Sequence, residues 1–505
     1  MPALIPRPTQ ASFPPGHFTL DHRTTLRLGP GTEPAADLLR TLLAPATGLP
    51  LRPSPDGPFA LTLDPASTGL GDEGYALTVT PDAVLLRAAH PTGLLRGIQT
   101  IRQLLPAQAL SGTPQPATDW LLPCAEITDV PRHRWRGAML DVARHFQPAA
   151  YLHRYVDLLA LHKINVFHLH LTDDQGWRMP VAAYPKLTEI GGHRAETQQG
   201  PDGTGPYDGT PHGGSYTRTE LAELVRYAAE RGVSVLPEIE MPGHVRAALA
   251  AYPSLGNSPE AGLDVWTRWG VCDTVLGVHD EALDFCRTVL EEVMDLFPSP
   301  YIHIGGEECP TAEWTRSASA RQRVAAEGLP HAQALHGWFL GRIGDFLVRN
   351  GRRPVAWAET GAELPLDFTL MTWRDAAHTL AAARRGHLVV NAHHRTTYLD
   401  YARSAAPDEP SGQPGNVVDL RTVHGHDPVP AEADAEAAGR VLGTQAQLWT
   451  EFVTTPEHIE YLTYPRLCAL ADRSWSAATD WAEFRSRLDE HTARLDTLGV
   501  PRRHP

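Results

Sequence analysis

The segment INVFHLHLTDDQGWR, residues 164–178, begins as a short apolar run and ends abruptly in polar and aromatic residues. Its length and its bulky apolar side chains are typical of a buried β-strand. From residue 131 onward, further segments have the same character, and helical stretches separate them: RGAMLDV (136–142), VSVLPEI (233–239), YIHIG (301–305), PVAWA (354–358), FTLMTW (368–373), HLVVN (387–391) and VLGTQAQ (441–447).

Eight strand–helix units in about 370 residues predict an α/β fold, a (β/α)₈ or TIM barrel with insertions. A doubly wound open sheet is the alternative, although no GxGxxG motif follows the first predicted strand. We therefore expect the barrel to occupy residues 131–505, preceded by a separate domain at 1–130.

The first 130 residues have a different pattern, in which short alternating strands precede one amphipathic helix. The strands are FALTLD (59–64), YALTVT (75–80) and AVLLRAA (83–89), and the helix is TGLLRGIQTIRQLL (92–105). Strands that one helix covers predict a small α+β domain.

The composition excludes several classes of partner. The chain has 505 residues and a formal net charge of −15. This charge argues against nucleic acid and anionic lipid as partners, because both are negatively charged and bind proteins through clustered Lys and Arg. No apolar run approaches the ~18 residues that a membrane helix needs. We therefore expect no nucleic-acid partner and no membrane partner.

The cysteines and the N-terminal sequence indicate the compartment. Five cysteines are widely scattered and no CxxC motif occurs, so neither a zinc ribbon nor a disulfide framework is indicated. The start, MPALIPRPTQASFPPGHF, has Pro where a secretory signal needs an apolar core. The abundance of Ala and Pro is typical of a GC-rich coding sequence. We expect a cytoplasmic protein from a bacterium.

Polar and aromatic residues gather at the ends of the predicted strands, which is where a barrel carries its chemistry. Carboxylates and tryptophans at one barrel mouth indicate a sugar site, because pyranose rings stack on aromatic faces while their hydroxyl groups need acceptors. The residues concerned are Arg136, Asp141–Arg144, His168, His170, Asp173, Asp174, Trp177, Glu238, Glu240, His244, Glu307, Glu308, Trp357, Glu359, Trp373, Tyr398, Asp400, Trp449 and Glu451.

The motif HIGGEE places Glu307 and Glu308 next to each other after a Gly-Gly strand exit. Two carboxylates this close cannot both ionise cheaply, so the pKa of one is raised and an acid stays protonated near neutral pH. Protonating a glycosidic oxygen requires such an acid. A solvated acidic pair in a loop is the alternative.

His168 and His170, followed by Asp173, suggest a metal site as a further alternative. Such a site needs more histidine ligands on later strands, whereas the fifth, sixth and eighth strands end in tryptophan. We favour core histidines paired with carboxylates, and we expect neither a metal nor a cofactor. His244, in the turn PEIEMPGH, could shuttle protons or support a carboxylate, with Asp173 as a partner that fixes its tautomer.

Six motifs in chain order, RGAMLDVARHF, NVFHLHLTDDQGWR, PEIEMPGH, HIGGEECP, YLDY and QLWTE, resemble glycoside hydrolase family 20, the β-N-acetylhexosaminidases. GYALTV and HPTGLLRGIQTIRQLL resemble the non-catalytic N-terminal domain of that family. The resemblance implies exo-acting, retaining hydrolysis of terminal β-linked GlcNAc or GalNAc. It also implies substrate-assisted catalysis, in which the 2-acetamido oxygen of the substrate attacks the anomeric carbon and forms an oxazolinium intermediate.

The resemblance also implies roles for individual residues. Glu308 matches the general acid/base, and Glu307 matches the carboxylate that orients the acetamide N–H. Tyr398 would donate a hydrogen bond to the acetamido oxygen, and Asp173 and His244 match a relay that tunes the acid. The remaining matches are substrate-binding residues: Trp357, Trp373 and Trp449 as walls of the acetamido methyl pocket, and Arg136, Asp400 and Glu451 as partners of the sugar hydroxyls.

Two positions depart from the family pattern, which has Asp where this chain has Glu240 and Glu307. Each Glu is one methylene longer, and a misplacement of about 1 Å can cost roughly 10²-fold in rate. We favour a working enzyme in which Glu307 still contacts the acetamide nitrogen, with a small glycan as its partner. The alternatives are a glycosidase of altered specificity, with Glu307 as a covalent nucleophile, and a non-catalytic sugar-binding protein.

Overall fold

A computed structural model describes residues 2–201, 204–358, 364–477 and 480–502. Its largest element is a closed barrel of eight parallel strands, which confirms the predicted fold class. Every predicted barrel strand is present, with bounds within two residues of those expected. The barrel strands are β7 (Trp135–Asp141), β8 (Val166–His170), β9 (Ser234–Glu238), β10 (Tyr301–His303), β11 (Arg353–Trp357), β12 (Thr369–Thr372), β13 (Leu388–Asn391) and β14 (Val441–Ala446).

The barrel register brings the carboxyl ends of neighbouring strands to one level. His170 at the end of β8 pairs with Asp141 of β7 and with Glu238 of β9. Glu238 in turn pairs with His303 at the end of β10. Parallel pairing therefore places the polar strand ends around one mouth of the barrel, as the sequence predicts.

The N-terminal domain is a six-stranded sheet in the order β1-β6-β4-β5-β3-β2, which two helices cover. In α2, Gly97 permits close packing on this sheet, because a Cβ there would lie 2.3 Å from Leu86 Cδ1. Its strands are β1 (Gln10–Ser12), β2 (Leu26–Leu28), β3 (Phe59–Leu63), β4 (Tyr75–Val79), β5 (Val84–Ala88) and β6 (Ala125–Asp129), and its helices are α1 (Glu33–Thr47) and α2 (Pro91–Leu104).

Helices surround the barrel and bury their apolar faces against its strands. The longer ones are α3 (Ala149–Leu161), α4 (Arg218–Ala229), α5 (Asp280–Leu296), α6 (Ala318–Ala326), α7 (Ala334–Arg349), α8 (Ala376–Arg384), α9 (Pro456–Thr463), α10 (Arg466–Trp475) and α11 (Trp481–Thr497). Shorter ones lie at Lys186–Glu189, Arg246–Ala251, Ala312–Arg316, His394–Thr397, Leu420–Gly425 and Ala435–Arg440. Across the part of the chain that is described, no helix has the length and apolar character to cross a membrane.

Arg136 lies at the amino end of β7, where the barrel meets the N-terminal domain. Its guanidinium pairs with Glu73 and donates to the carbonyl oxygens of Lys163 at 3.0 Å and His133 at 2.7 Å. Arg96 donates to the same Glu73 carboxylate at 2.9 Å. The prediction that Arg136 holds sugar hydroxyls is therefore wrong, because the side chain is enclosed at the end of the barrel opposite the polar mouth.

Candidate active site

A cavity of about 230 Å³ opens at the carboxyl ends of the barrel strands. It brings together nine of the eleven residues predicted to act in catalysis or to bind the sugar: His244, Glu307, Glu308, Trp357, Trp373, Tyr398, Asp400, Trp449 and Glu451. Arg144, Tyr401 and Gln413 complete its lining. Asp173 lies buried behind the cavity wall, and Glu359 lies outside the described residues.

The two adjacent glutamates differ in exposure because of the backbone that precedes them. Gly305 and Gly306 have φ values of 64° and 99°, and Glu308 itself has φ 46°. The left-handed region is rare for a residue with a side chain, and such strain is concentrated at functional sites. The Glu308 side chain is 39% exposed, whereas Glu307 is only 8% exposed. One carboxylate therefore faces the cavity mouth and the other its floor.

His244 links Glu308 to buried carboxylates. Its Nε2 lies 3.5 Å from Glu308 Oε2, and its Nδ1 lies 3.3 Å from Asp173 Oδ1 and 3.1 Å from Asp174 Oδ2. Burial alone would lower the pKa of His244, but the charge of Asp173 and hydrogen bonds to the carboxylates raise this pKa well above its ordinary value. The contact with Asp174 was not predicted, since two adjacent aspartates in a sequence do not show which one turns towards a histidine.

The pKa of Glu308 responds to the same contact. Burial acts to raise the pKa of Glu308, but the hydrogen bond and the charge of His244 outweigh burial and lower this pKa. These two shifts favour an ionised Glu308 beside a protonated His244. An acid at Glu308 would then take its proton from the imidazole that contacts it.

Glu307 is the member of the adjacent pair whose pKa is raised. Burial raises the pKa of Glu307 to about 8, and the charges of Glu238 and Glu308 add to the effect against the opposing charge of His244. Burial and the charge of Glu307 likewise raise the pKa of Glu240 well above its ordinary value. Among the described residues, both carboxylate oxygens of Glu240 and Oε2 of Glu307 have no hydrogen-bond partner.

Aromatic side chains form one side of the cavity. The rings of Trp357 and Trp449 lie 6.0 Å apart between centroids, and Tyr398 lies 6.4 Å from Trp449. Trp357 Nε1–H donates to Glu238 Oε1 at 2.8 Å, which fixes the plane of the indole. Such a wall can accept the apolar face of a sugar or a small methyl group.

Arg144, which the prediction of binding residues missed, lines the cavity in the place expected for Arg136. Its Nη2 lies 2.9 Å from Asp173 Oδ2, and its guanidinium lies 5.0 Å from the centre of the Trp449 ring. The motif RGAMLDVARHF contains one arginine at the amino end of the strand and another beyond its carboxyl end. The position of Arg144 beyond the carboxyl end of the strand is the signal that distinguishes it.

Asp400 is buried and Glu451 is half-buried at the cavity wall. Burial and the charge of Glu451 raise the pKa of Asp400 well above its ordinary value, and burial also raises the pKa of Glu451. Both oxygens of Asp400 lack a hydrogen-bond partner among the described residues. A buried polar group is costly to leave unpaired, so these oxygens are suited to a ligand with hydroxyl donors.

The histidines on the barrel strands surround one carboxylate. His168 Nε2 lies 3.0 Å from Glu238 Oε2, and His303 Nδ1 lies 2.7 Å from Glu238 Oε1. Gln445 Nε2 donates to His168 Nδ1 at 2.9 Å, so His168 carries its proton on Nε2 and turns it towards Glu238. These residues are close enough to hold a metal ion. Among the described residues, His168 Nε2 and His303 Nε2 have no hydrogen-bond partner.

The chain is similar to known proteins over most of its length. The profile of "Glycosyl hydrolase family 20, catalytic domain" matches residues 133–478, and "Glycosyl hydrolase family 20, domain 2" matches residues 1–130. A β-hexosaminidase of Porphyromonas gingivalis is 35% identical over 98% of this chain, which spans 64% of that protein's length. A β-hexosaminidase of Akkermansia muciniphila is 36% identical over 84% of this chain and 83% of its own length.

Solved structures show the same similarity. The Vibrio harveyi GH20 exo-β-N-acetylglucosaminidase in complex with N-acetylglucosamine superposes with a TM-score of 0.89 at 32% identity, covering 100% of this chain and 78% of that chain. The GH20 β-N-acetylhexosaminidase of Streptomyces coelicolor A3(2) has a TM-score of 0.86 at 33% identity, covering 100% and 98%.

Proposed function

The chain belongs to glycosyl hydrolase family 20 and is a glycoside hydrolase, and we propose that it removes terminal β-linked GlcNAc or GalNAc from the ends of small glycans. The observation that carries the proposal is the cavity in which Glu307, Glu308 and Tyr398 meet the tryptophan wall. Its small volume suits a single sugar unit, which supports exo action. We also propose that residues 131–505 form the catalytic domain and 1–130 a non-catalytic one.

Glu308 acts as the general acid/base in this proposal. It protonates the glycosidic oxygen as the bond to the leaving alcohol breaks, and it later accepts a proton from the attacking water. His244 supplies the first proton through its Nε2 contact with the carboxylate. Asp173 and Asp174 hold the imidazole of His244 in place. His244 is neutral after the first step and recovers its proton from Glu308 once Glu308 has accepted one from the attacking water.

The second carboxylate, Glu307, acts on the acetamido group of the substrate. The acetamide oxygen attacks the anomeric carbon, and positive charge develops on the acetamide as the oxazolinium forms. An ionised Glu307 accepts the acetamide N–H and stabilises that charge. Tyr398 donates to the acetamide oxygen, and Trp357, Trp373 and Trp449 enclose the methyl group. Water opens the intermediate, so the anomeric configuration is retained.

The sugar hydroxyls bind at the remaining polar wall. Asp400 and Glu451 accept hydroxyl hydrogens, which removes the cost of the unpaired oxygens of Asp400. Arg144 donates to a hydroxyl oxygen from its position between Asp173 and the cavity. Recognition by matched donors and acceptors gives strong discrimination, because a sugar that lacks a hydroxyl leaves a buried group unpaired.

A panel of aryl β-glycosides with one common leaving group tests the proposal. We expect rapid hydrolysis of the N-acetylglucosaminide, much slower hydrolysis of the N-trifluoroacetyl analogue and no appreciable hydrolysis of the glucoside, because the nucleophile is the acetamide oxygen. Added EDTA should leave all rates unchanged. Appreciable glucoside turnover would favour Glu307 as a covalent nucleophile, and inactivity on every substrate would favour a non-catalytic sugar-binding protein.

The pH dependence of kcat/KM follows from Glu307. If only the ionised form assists, a pKa of about 8 in the free protein means that kcat/KM rises with pH up to about 8 and then levels off. The rise of kcat with pH should occur at lower pH than the rise of kcat/KM. The reason is that the acetamide N–H stabilises the ionised Glu307 carboxylate in the substrate complex. Steady-state rates from about pH 5 to 9 measure the pH dependence of both kcat/KM and kcat. A kcat/KM that is constant over this range would contradict the assigned role of Glu307.

A further inference from the structure

Glu238, the last residue of β9, is the centre of a fully buried network beneath the cavity. Its carboxylate contacts His170 Nδ1, His168 Nε2 and His303 Nδ1, and it accepts the indole N–H of Trp357. Nothing in the acid/base scheme above uses this carboxylate. A charge that is fully removed from water is costly to keep unless its partners are well placed, so its position beneath the reacting groups needs an explanation.

His170 connects Glu238 to the relay. Its Nδ1 contacts Glu238 Oε2, and its Nε2 lies 3.0 Å from Asp173 Oδ2. Asp173 Oδ1 then faces His244 Nδ1 at 3.3 Å, and His244 Nε2 faces Glu308 Oε2 at 3.5 Å. A continuous series of contacts therefore runs from the centre of the barrel to the general acid at its mouth.

We propose that His170 and Glu238 are positioning residues that extend the acid/base relay, so that Glu238, His170, Asp173 and His244 act on Glu308 as one series. The inference rests on the proposed function, since it requires Glu308 to be the acid. In this series Glu238 orients the His170 ring, and His170 fixes one oxygen of Asp173. The other oxygen of Asp173 is thereby held towards His244.

The surroundings of His170 favour its charged form. Glu238 and Asp173 bind its two nitrogens, Glu240 lies 4.0 Å from Nδ1, and Asp141 adds a further negative charge. Burial acts against the charged form, but the carboxylates outweigh it and raise the pKa of His170 to about 10. Burial acts to raise the pKa of Asp173, but Arg144, His244 and the hydrogen bond from His170 outweigh burial and lower this pKa. A His170 cation between two carboxylates therefore helps to keep Asp173 ionised, which His244 needs in order to hold the proton destined for Glu308.

A purely structural role predicts a different outcome from a role in the relay. The network also supports the tryptophan wall, because Glu238 accepts from Trp357 and the His170 ring lies edge-on to Trp449 at 4.9 Å. Damage to that wall would slow every substrate alike. Weaker acid catalysis by Glu308 would slow hydrolysis most for substrates whose leaving group must be protonated, so the rates for poor leaving groups would fall most.

The test is His170→Gln, measured with aryl β-N-acetylglucosaminides whose leaving groups range from dinitrophenolate to unactivated phenolates. We expect kcat/KM to fall about tenfold or more for the poorest leaving group and to stay within about threefold for dinitrophenolate, since acid catalysis contributes roughly 10²- to 10⁴-fold. The matched control is His162→Gln, which changes a fully buried histidine bonded to Leu158 and His491, outside the network. It should leave the leaving-group dependence unchanged.

An equal loss across the series would overturn the proposal. If His170→Gln does not fold, as judged by circular dichroism and thermal unfolding, Glu238→Gln must show the same dependence on the leaving group. Its amide oxygen can still accept from Trp357, so this variant tests the charge and not the indole position. Wild-type protein that hydrolyses none of these substrates would refute the proposed function, whereas an active wild type with a uniformly slower variant would refute the extended relay alone.

Discussion

Replacing Glu308 with Gln is expected to lower kcat/KM for aryl β-N-acetylglucosaminides with poor leaving groups by about 10²- to 10⁴-fold, the usual contribution of general acid–base catalysis. Gln has the size of Glu but cannot release a proton to the glycosidic oxygen. The side chain is 39% exposed at the cavity mouth, so the fold should be preserved. The amide oxygen of Gln can still accept from His244 Nε2, but the negative charge beside that histidine is lost.

The measurement is steady-state kinetics on Glu308→Gln across the leaving-group series, with circular dichroism to confirm folding. Glu291→Gln makes the same chemical change on the exposed face of α5 and should retain wild-type rates. A dinitrophenyl substrate should lose much less than the others, because its leaving group departs without protonation. Near-normal rates of Glu308→Gln on all substrates would mean that the acid has been assigned to the wrong residue.

The barrel could be predicted from the sequence because its strands are covered on both faces. Such strands appear in the sequence as short continuous apolar runs. INVFHLHL is therefore recognisable as a strand although its apolar and polar residues do not alternate along its whole length. The N-terminal helix α2 was equally clear, since Leu94, Ile98 and Ile101 repeat at helical spacing. No boundary shifted by more than two residues, and those that shifted did so because strand ends depend on hydrogen bonds that the sequence does not show.

The site could be predicted largely because barrel topology gathers the strand ends at one mouth. The role of Arg136 was predicted wrongly because its motif has one arginine at the amino end of the strand and another, Arg144, beyond the carboxyl end. Only the direction of the strand shows which of the two reaches the barrel mouth. The pKa of each carboxylate depends on burial and on neighbours distant in the chain. The sequence therefore predicted that one carboxylate of the Glu307–Glu308 pair has a raised pKa, but it did not show that this carboxylate is Glu307.

The chain has Glu307 at a position where the family pattern has Asp. The variant Glu307→Gln should show whether this carboxylate still stabilises the acetamide group as it attacks the anomeric carbon. We expect kcat/KM for N-acetyl substrates to fall about 10²- to 10³-fold, the usual cost of removing one group that stabilises developing charge. In contrast to Glu308→Gln, the loss should be similar for good and poor leaving groups, because the acetamide must attack in every case. A normal rate for Glu307→Gln would exclude this role.

Glu307→Asp separates the charge of this side chain from its length. Glu240 fills the space beside Gly305, where a Cβ would lie 1.8 Å from Glu240 Oε2, so the floor beneath Glu307 is built around the longer side chains. We therefore expect Asp at 307 to withdraw its carboxylate by about one methylene and to lose roughly 10²-fold in kcat/KM. The double variant Glu240→Asp/Glu307→Asp should recover part of that loss if the two glutamates are fitted to each other. A single Glu307→Asp variant as active as wild type would show that the cavity tolerates either length and that the glutamates are not a matched pair.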